Sequence, residues 1–186
     1  MSTSSLPSWI RFAERRALEV VEWLRPGCKR IEIAGSIRRQ RPDVGDIEIV
    51  AIPTPGEGLF GPGPELPTVL DNLICDLLGR GAFLRREADG AKYKKLFTAC
   101  LGGEVQVDLF LATPENWGYI LALRTGPAGF SKRLVTPDWQ GGLLRGEYMA
   151  SGGHVSSMGA VVPLPEEREF FDRCVTIGWI EPEGRV

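Results

Sequence analysis

Residues 31–50 read Ile-Glu-Ile-Ala-Gly-Ser-Ile-Arg-Arg-Gln-Arg-Pro-Asp-Val-Gly-Asp-Ile-Glu-Ile-Val. An alternating apolar run ends in the small pair Gly35-Ser36, and a basic cluster follows (Arg38, Arg39, Arg41). A second apolar run then carries Asp46 and Glu48 at i and i+2. Alternate residues on a strand share a face, so the two acids point the same way while Ile47, Ile49 and Val50 help fill the core. Adjacent acids repel, and partial burial strips the solvation that would offset this, so the pair calls for protons or cations. Phosphate-binding groups followed by paired carboxylates suit a metal–nucleoside triphosphate complex.

A third acid lies further along. Residues 105–111, Val-Gln-Val-Asp-Leu-Phe-Leu, read as an apolar strand whose only charge is Asp108. Such a charge is costly unless it is paired or bound to metal. Taken singly, each acid reads as well as an exposed strand end or an arginine's partner, and Gly35-Ser36 as a plain tight turn. Together they read as a site.

Around these motifs the pattern predicts an α+β fold. Apolar positions Ile10, Ala13, Ala17, Val20, Val21 and Leu24 give a helix over 7–25, with Ser8 as N-cap and Pro26-Gly27 as its stop. Strands follow at about 30–34 and 45–52. The Pro- and Gly-rich stretch 53–67 reads as a loop and 68–79 as an amphipathic helix. Strands near 82–87, 93–101 and 104–112 complete a helix-backed mixed sheet. Helices are expected from Pro114 to about 123, from Ala128 to Leu134 and over 165–175, with short strands and turns in the glycine-rich 141–159. The predicted division is a sheet domain, 1–112, and a small C-terminal α/β lobe, 113–186.

Bulk properties narrow the function. No apolar run in the 186 residues approaches membrane-spanning length, and Met1-Ser2-Thr3-Ser4-Ser5 lacks the layout of a signal peptide. Membrane partners are therefore not expected, and a cytoplasmic monomer is. Cys28, Cys75, Cys100 and Cys174 are scattered, which argues against zinc and for reduced thiols. With His154 as the only histidine a multi-histidine metal cluster is excluded, and His154 itself reads as a surface residue. The net charge of −2 does not favour nucleic acid. The basic residues nevertheless cluster at Arg38/Arg39/Arg41, Arg85/Arg86, Lys92/Lys94/Lys95 and Lys132/Arg133, while acids gather near the C-terminus. This pattern reads either as a basic groove with an acidic back or as ordinary solvated faces.

Gly35-Ser36-x-Arg38-Arg39 followed by Gly45-Asp46-Ile47-Glu48 resembles the signature of the polymerase beta-like nucleotidyltransferase superfamily, and within it the family X DNA polymerases. Leu123-Arg124-Thr125-Gly126-Pro127 with Phe130-Ser131-Lys132-Arg133 resembles the family's aromatic-aromatic-Thr-Gly-Ser segment and the helix behind it. Glu147-Tyr148 resembles its Asn-Glu-Tyr. The stretch from Pro165 to Phe171, continued by Trp179 to Arg185, resembles its closing acidic helix and Pro-Pro-Glu-x-Arg ending. The lyase and helix-hairpin-helix modules of larger relatives have no counterpart in these residues, so the resemblance is to the minimal members.

The resemblance implies a nucleotidyltransferase palm over 1–112 and a nascent-base-pair-binding lobe over 113–186. It implies two magnesium or manganese ions, a pair that can activate an attacking hydroxyl and neutralise a triphosphate when roughly 3.5–4 Å apart. Asp46 and Glu48 would hold both ions; Asp108 would ligate one and accept the hydroxyl proton. Gly35, Ser36 and Arg39 would contact the triphosphate, and Thr125 and Gly126 would lie under the nucleotide sugar. Lys132 and Arg133 would face the template strand. For Lys132 the ordinary reading is simple exposure, and for Arg38 solvent exposure is expected. The implied activity is that of a small gap-filling, repair-type DNA polymerase with a nucleoside triphosphate and a DNA primer-template or gapped DNA as partners.

Three departures bear on that activity. Glu48 stands where the family more often has Asp, Leu123 and Arg124 replace the two aromatics, and Ala128, Ser131 and Val135 stand where the nascent base pair would be touched. Two alternatives therefore stay open: a nucleotidyltransferase using an RNA end, a protein hydroxyl or a small molecule as acceptor, and a weakly active nucleic-acid-binding module.

Overall fold

Apolar alternation organises the chain into one five-stranded mixed sheet carrying helices on both faces. The computed structural model describes residues 8–58, 61–62, 66–100 and 103–186. Helix α1 (Ser8–Leu24) leads through a 3-10 turn into β1 (Cys28–Ile33), the one-turn helix α2 (Gly35–Arg38) and β2 (Asp46–Pro53). After the two-residue strands β3 (Glu57–Gly58) and β4 (Gly61–Pro62) come α3 (Val69–Gly79), β5 (Arg85–Asp89), β6 (Tyr93–Cys100) and β7 (Gly103–Leu111). The strand order is β1-β2-β7-β6-β5, with β2 and β7 parallel and the other neighbours antiparallel.

Residues 113–186 supply α4 (Trp117–Thr125), α5 (Ala128–Val135), a three-stranded sheet of β8 (Met149–Ser151), β9 (His154–Ser157) and β10 (Ala160–Val161), and α6 (Glu167–Cys174). Two apolar cores result. One buries Ile47, Ile49, Val107 and Leu109 under α1 and α3. The other lies on the opposite face, where Val50, Ile52 and Ala112 meet Trp117, Leu121, Phe130, Phe170 and Phe171. The C-terminal elements thus close their core on the sheet itself.

Polar contacts fix this arrangement. Thr68 and Asp71 form a reciprocal cap at the start of α3: the Thr68 hydroxyl accepts from the Asp71 N–H at 3.1 Å, and the Asp71 carboxylate accepts from the Thr68 N–H at 2.7 Å. Arg30 on β1 donates two hydrogen bonds to Glu166, at 2.8 and 2.9 Å. Arg38 on α2 grips Glu167 with two more, at 2.9 and 2.8 Å, and also donates to the Thr125 hydroxyl at 2.7 Å. Fully buried Arg185 reaches the same Glu167 at 2.5 Å.

Several expectations need adjustment. Arg38 was expected in solvent, but it is half-buried in this network, because Glu167 lies far from it in sequence and close to it in space. Gly35-Ser36 opens a helical turn, and the stretch expected as a loop over 53–67 holds β3 and β4. Ser8 is the first helical residue; its side chain, the residues before it, Leu101 and part of 53–67 lie outside the described residues. Among the described residues no helix is long and apolar enough to cross a membrane.

Candidate active site

Strand register gathers the acids. Glu48 on β2 faces Asp108 on β7 across the parallel pair, and Asp46 faces Gln106. Paired residues in adjacent strands share a face, as do positions i and i+2, so Asp46, Glu48 and Asp108 stand together on the face opposite Ile47, Ile49, Val107 and Leu109. Gly35 closes in behind them. Its φ is +63°, and a Cβ there would collide with the Glu48 carboxylate. Glycine is thus required twice, for its backbone angle and for the approach.

The acids perturb one another. Glu48 is pushed up to about 7, first by burial and then by the charges of Asp46 and Asp108; Arg39 and Arg124 oppose this. Burial, and next the charge of Asp108, raise Asp46. Asp108 Oδ1 accepts two hydrogen bonds, from the Tyr93 hydroxyl at 2.7 Å and from Gln106 Nε2 at 2.9 Å. The Tyr93 phenol is in turn raised to about 12, by burial and by its bond to Asp108.

A cavity of about 580 Å³ opens over this face. Ser36, Arg39, Asp46, Glu48, Gly126 and Lys132 line it, and so do Arg124, Ala128, Ser131 and Val135. The Ser36 hydroxyl and Arg39 Nε are buried without a hydrogen-bond partner. Burial draws the Arg39 guanidinium below its ordinary value, Glu48 opposes that, and Arg41 and Arg185 add to it. Buried polar atoms normally find partners, so orphan donors beside unpaired acids mark a place built for a polar ligand. The carboxylate set is one of hard oxygens, which fits magnesium or manganese. Among the described residues no three His, Cys, Asp or Glu side chains form a ready metal cage; the acids share a face and a field.

The other expected residues fall as follows. Thr125 is fully buried: its hydroxyl accepts from Arg38 and its carbonyl from Arg39, so it braces the wall while Gly126 lines the cavity. Lys132 and Arg133 are exposed on α5, without ion pairs to described residues, and Lys132 reaches the cavity. His154, expected at the surface, is half-buried with Nδ1 unpartnered.

Two groups escaped sequence reasoning. Tyr93 acts through its cross-strand neighbours, which no local pattern reveals. Arg124 was visible only as a departure from an aromatic pair, although a lone charge in the apolar helix α4 was a usable signal. Its guanidinium lies 4.0 Å from the Phe110 ring centroid.

Compared with known protein families and with curated proteins, the chain matches none.

Proposed function

We propose that this protein is a metal-dependent nucleotidyltransferase of the polymerase beta-like superfamily, its sheet the palm, and that it acts as a small family X DNA polymerase. The observation that carries this reading is the meeting of Asp46, Glu48 and Asp108 on one sheet face, with Asp46 and Glu48 lining the cavity that holds Ser36 and Arg39. Burial, and then the charges of Asp46 and Asp108, raise the Glu48 carboxyl to about 7, and a bound cation would offset that repulsion.

Asp46 and Glu48 would hold the divalent ions, with Asp108 as third ligand; bound, the ions supply charge neutralisation for the triphosphate and acidify the attacking hydroxyl. Asp108 would take the hydroxyl proton on its Oδ2, since Tyr93 and Gln106 both donate to Oδ1. Ser36 Oγ and Arg39 would donate to phosphate oxygens, a pairing that guanidinium geometry favours. Gly126 would lie under the nucleotide sugar, and glycine is required there because a Cβ would press into Phe130 and Ser131 of α5.

The acceptor is assigned to DNA by the C-terminal segment's resemblance. The ion pairs temper that assignment. Arg85 is bound to Glu87 and Glu104, Arg86 to Asp89, and buried Lys94 to Asp71 and Asp89 at 2.7 and 2.5 Å. These clusters are neutralised internally, which favours a weak, distributive enzyme and keeps a non-DNA acceptor as the second reading.

Primer extension on gapped DNA, open primer-template, single-stranded DNA and RNA tests the reading. Wild type should extend a DNA primer with magnesium or manganese. Asp108→Ala should lower the rate by about 10²–10⁴-fold, the range for a lost general base, while magnesium–nucleotide binding survives. Nucleotide binding without extension of any DNA would pass the reading to another acceptor; full extension by Asp108→Ala would overturn the mechanism.

A further inference from the structure

Arg124 is half-buried, and no hydrogen bond or ion pair joins it to any described residue; its Nε is buried without a partner. A guanidinium carries five N–H donors and stays charged. Holding it partly desolvated with no acceptor is unfavourable unless a ligand supplies one. Its stacking on Phe110 orients the group but satisfies none of the donors.

Its place in the fold indicates the ligand. Three cavities adjoin one another through shared lining residues. One of about 490 Å³ is lined by Ser36, Arg39, Arg41 and Arg185. The central one, of about 580 Å³, shares Ser36 and Arg39 with it and holds Asp46 and Glu48. A third, of about 420 Å³, adjoins the central one through Arg124 and is walled by Phe110, Ile120, Lys92, Asn116 and His154. Ser36 and Arg39 therefore mark one end of the central cavity and Arg124 the other. The far end is the one beside Asp108, because Phe110 stacks on Tyr93 at 5.3 Å between ring centroids and Tyr93 is hydrogen-bonded to Asp108.

We infer that Arg124 binds a phosphodiester oxygen of the acceptor strand, next to its reactive 3′-hydroxyl, with the third cavity receiving the adjoining nucleotide. This rests on the transferase reading and sharpens its partner to a nucleic-acid end. Three carboxylates nearby would repel a phosphate, and Arg124 is the cation that stands between them and the third cavity. Apolar Phe110, Ile120 and Ala112 suit a sugar and base, while the unpartnered His154 Nδ1 and the Lys92 ammonium, which donates to the Gly152 carbonyl at 2.8 Å, supply polar groups at its wall. An acceptor lacking that phosphate, such as a protein hydroxyl or a free nucleoside, would leave Arg124 unsatisfied.

The test is equilibrium binding of a fluorescent DNA primer-template in two forms, with the primer's last linkage either a phosphodiester or a neutral methylphosphonate. Wild type should bind the methylphosphonate at least about tenfold more weakly, as expected for a lost charged hydrogen bond. Arg124→Ala and Arg124→Gln should bind both forms equally and as weakly as wild type binds the neutral one; Arg124→Lys should recover part of the difference. Equal methylphosphonate penalties in wild type and Arg124→Ala would overturn the inference. So would an Arg124→Ala effect confined to magnesium–nucleotide affinity, measured separately by calorimetry. Absence of nucleotide binding in wild type would instead sink the transferase reading and leave the strand-binding contrast readable.

Discussion

The two faces of the β2–β7 pair are made by the same two strands and differ in nearly every property. On one, Ile47, Ile49, Val107 and Leu109 are buried under α1 and α3. On the other, the alternate residues are Asp46, Glu48 and Asp108, and only beyond them do Val50, Ile52, Phe110 and Ala112 resume an apolar surface. A strand's period of two lets adjacent residues serve opposite ends. At the paired positions 47, 49, 107 and 109 the dry face contributes buried apolar surface. At the facing positions the acids carry mutual repulsion instead, which the apolar cores on both sides of the sheet offset.

That contrast can be broken from the lobe that covers the acid face. Glu167→Ala leaves Arg38 half-buried and Arg185 buried with no carboxylate between them. The expected loss is about 3–5 kcal/mol, the range for breaking a buried pair from one side. Hydrogen exchange should rise in α4 and α6 while α1 and α3 stay protected; uniform exchange across both cores would show that the faces unfold as one.

Neighbouring positions on β7 give a sharper version. Leu109→Ala should cost about 2–5 kcal/mol in urea unfolding, by cavity formation, with nucleotide affinity per folded molecule unchanged. A loss of affinity without loss of stability would show that the dry face tunes the site directly.

The smallest effect is the dependence of stability on pH. A carboxyl whose folded pKa is raised binds its proton more tightly in the native state, so stability is full below the unfolded value and falls as pH rises through the folded one. For Glu48 the window runs from its ordinary 4.5 to about 7. Metal-free protein should lose thermal stability across that window, and Asp108→Asn should flatten the slope by removing one of the charges that raise Glu48. Saturating magnesium should restore the loss at pH 7. A metal-free melting temperature that climbs steadily from pH 5 to 7.5 would contradict the assignment.

Much of this was legible in the sequence. The strands β1, β2, β6 and β7 follow from their apolar runs and the helices α1 and α3 from apolar spacing. Helices were expected at α4, α5 and α6, and the acids on β2 and β7 stood out as charges inside apolar runs. The strand expected near 82–87 lies at Arg85–Asp89, which has little apolar content. What remained hidden depends on long-range pairing. Tyr93 matters because register sets it opposite Phe110 and within reach of Asp108, and Arg38 because Glu167 returns to it from far along the chain. Lys94 looked like part of a basic patch, yet it is 4% exposed and held between Asp71 and Asp89. The turn at Gly35 proved helical because the Arg38 and Arg39 N–H groups donate to the Ala34 and Gly35 carbonyls, at 3.2 Å each.

The place of β7 between β2 and β6 has a consequence for the chain during its own synthesis. β7 follows both of its neighbours in sequence, so β2 and β6 each present an open hydrogen-bonding edge until residues 103–111 emerge. Open edges recruit foreign strands, and charged side chains along them discourage it. Asp46 and Glu48 on β2, with Lys94 and Lys95 on β6, sit along those two edges. The same carboxylates thus place charge along one of the two edges that stay open until the central strand arrives.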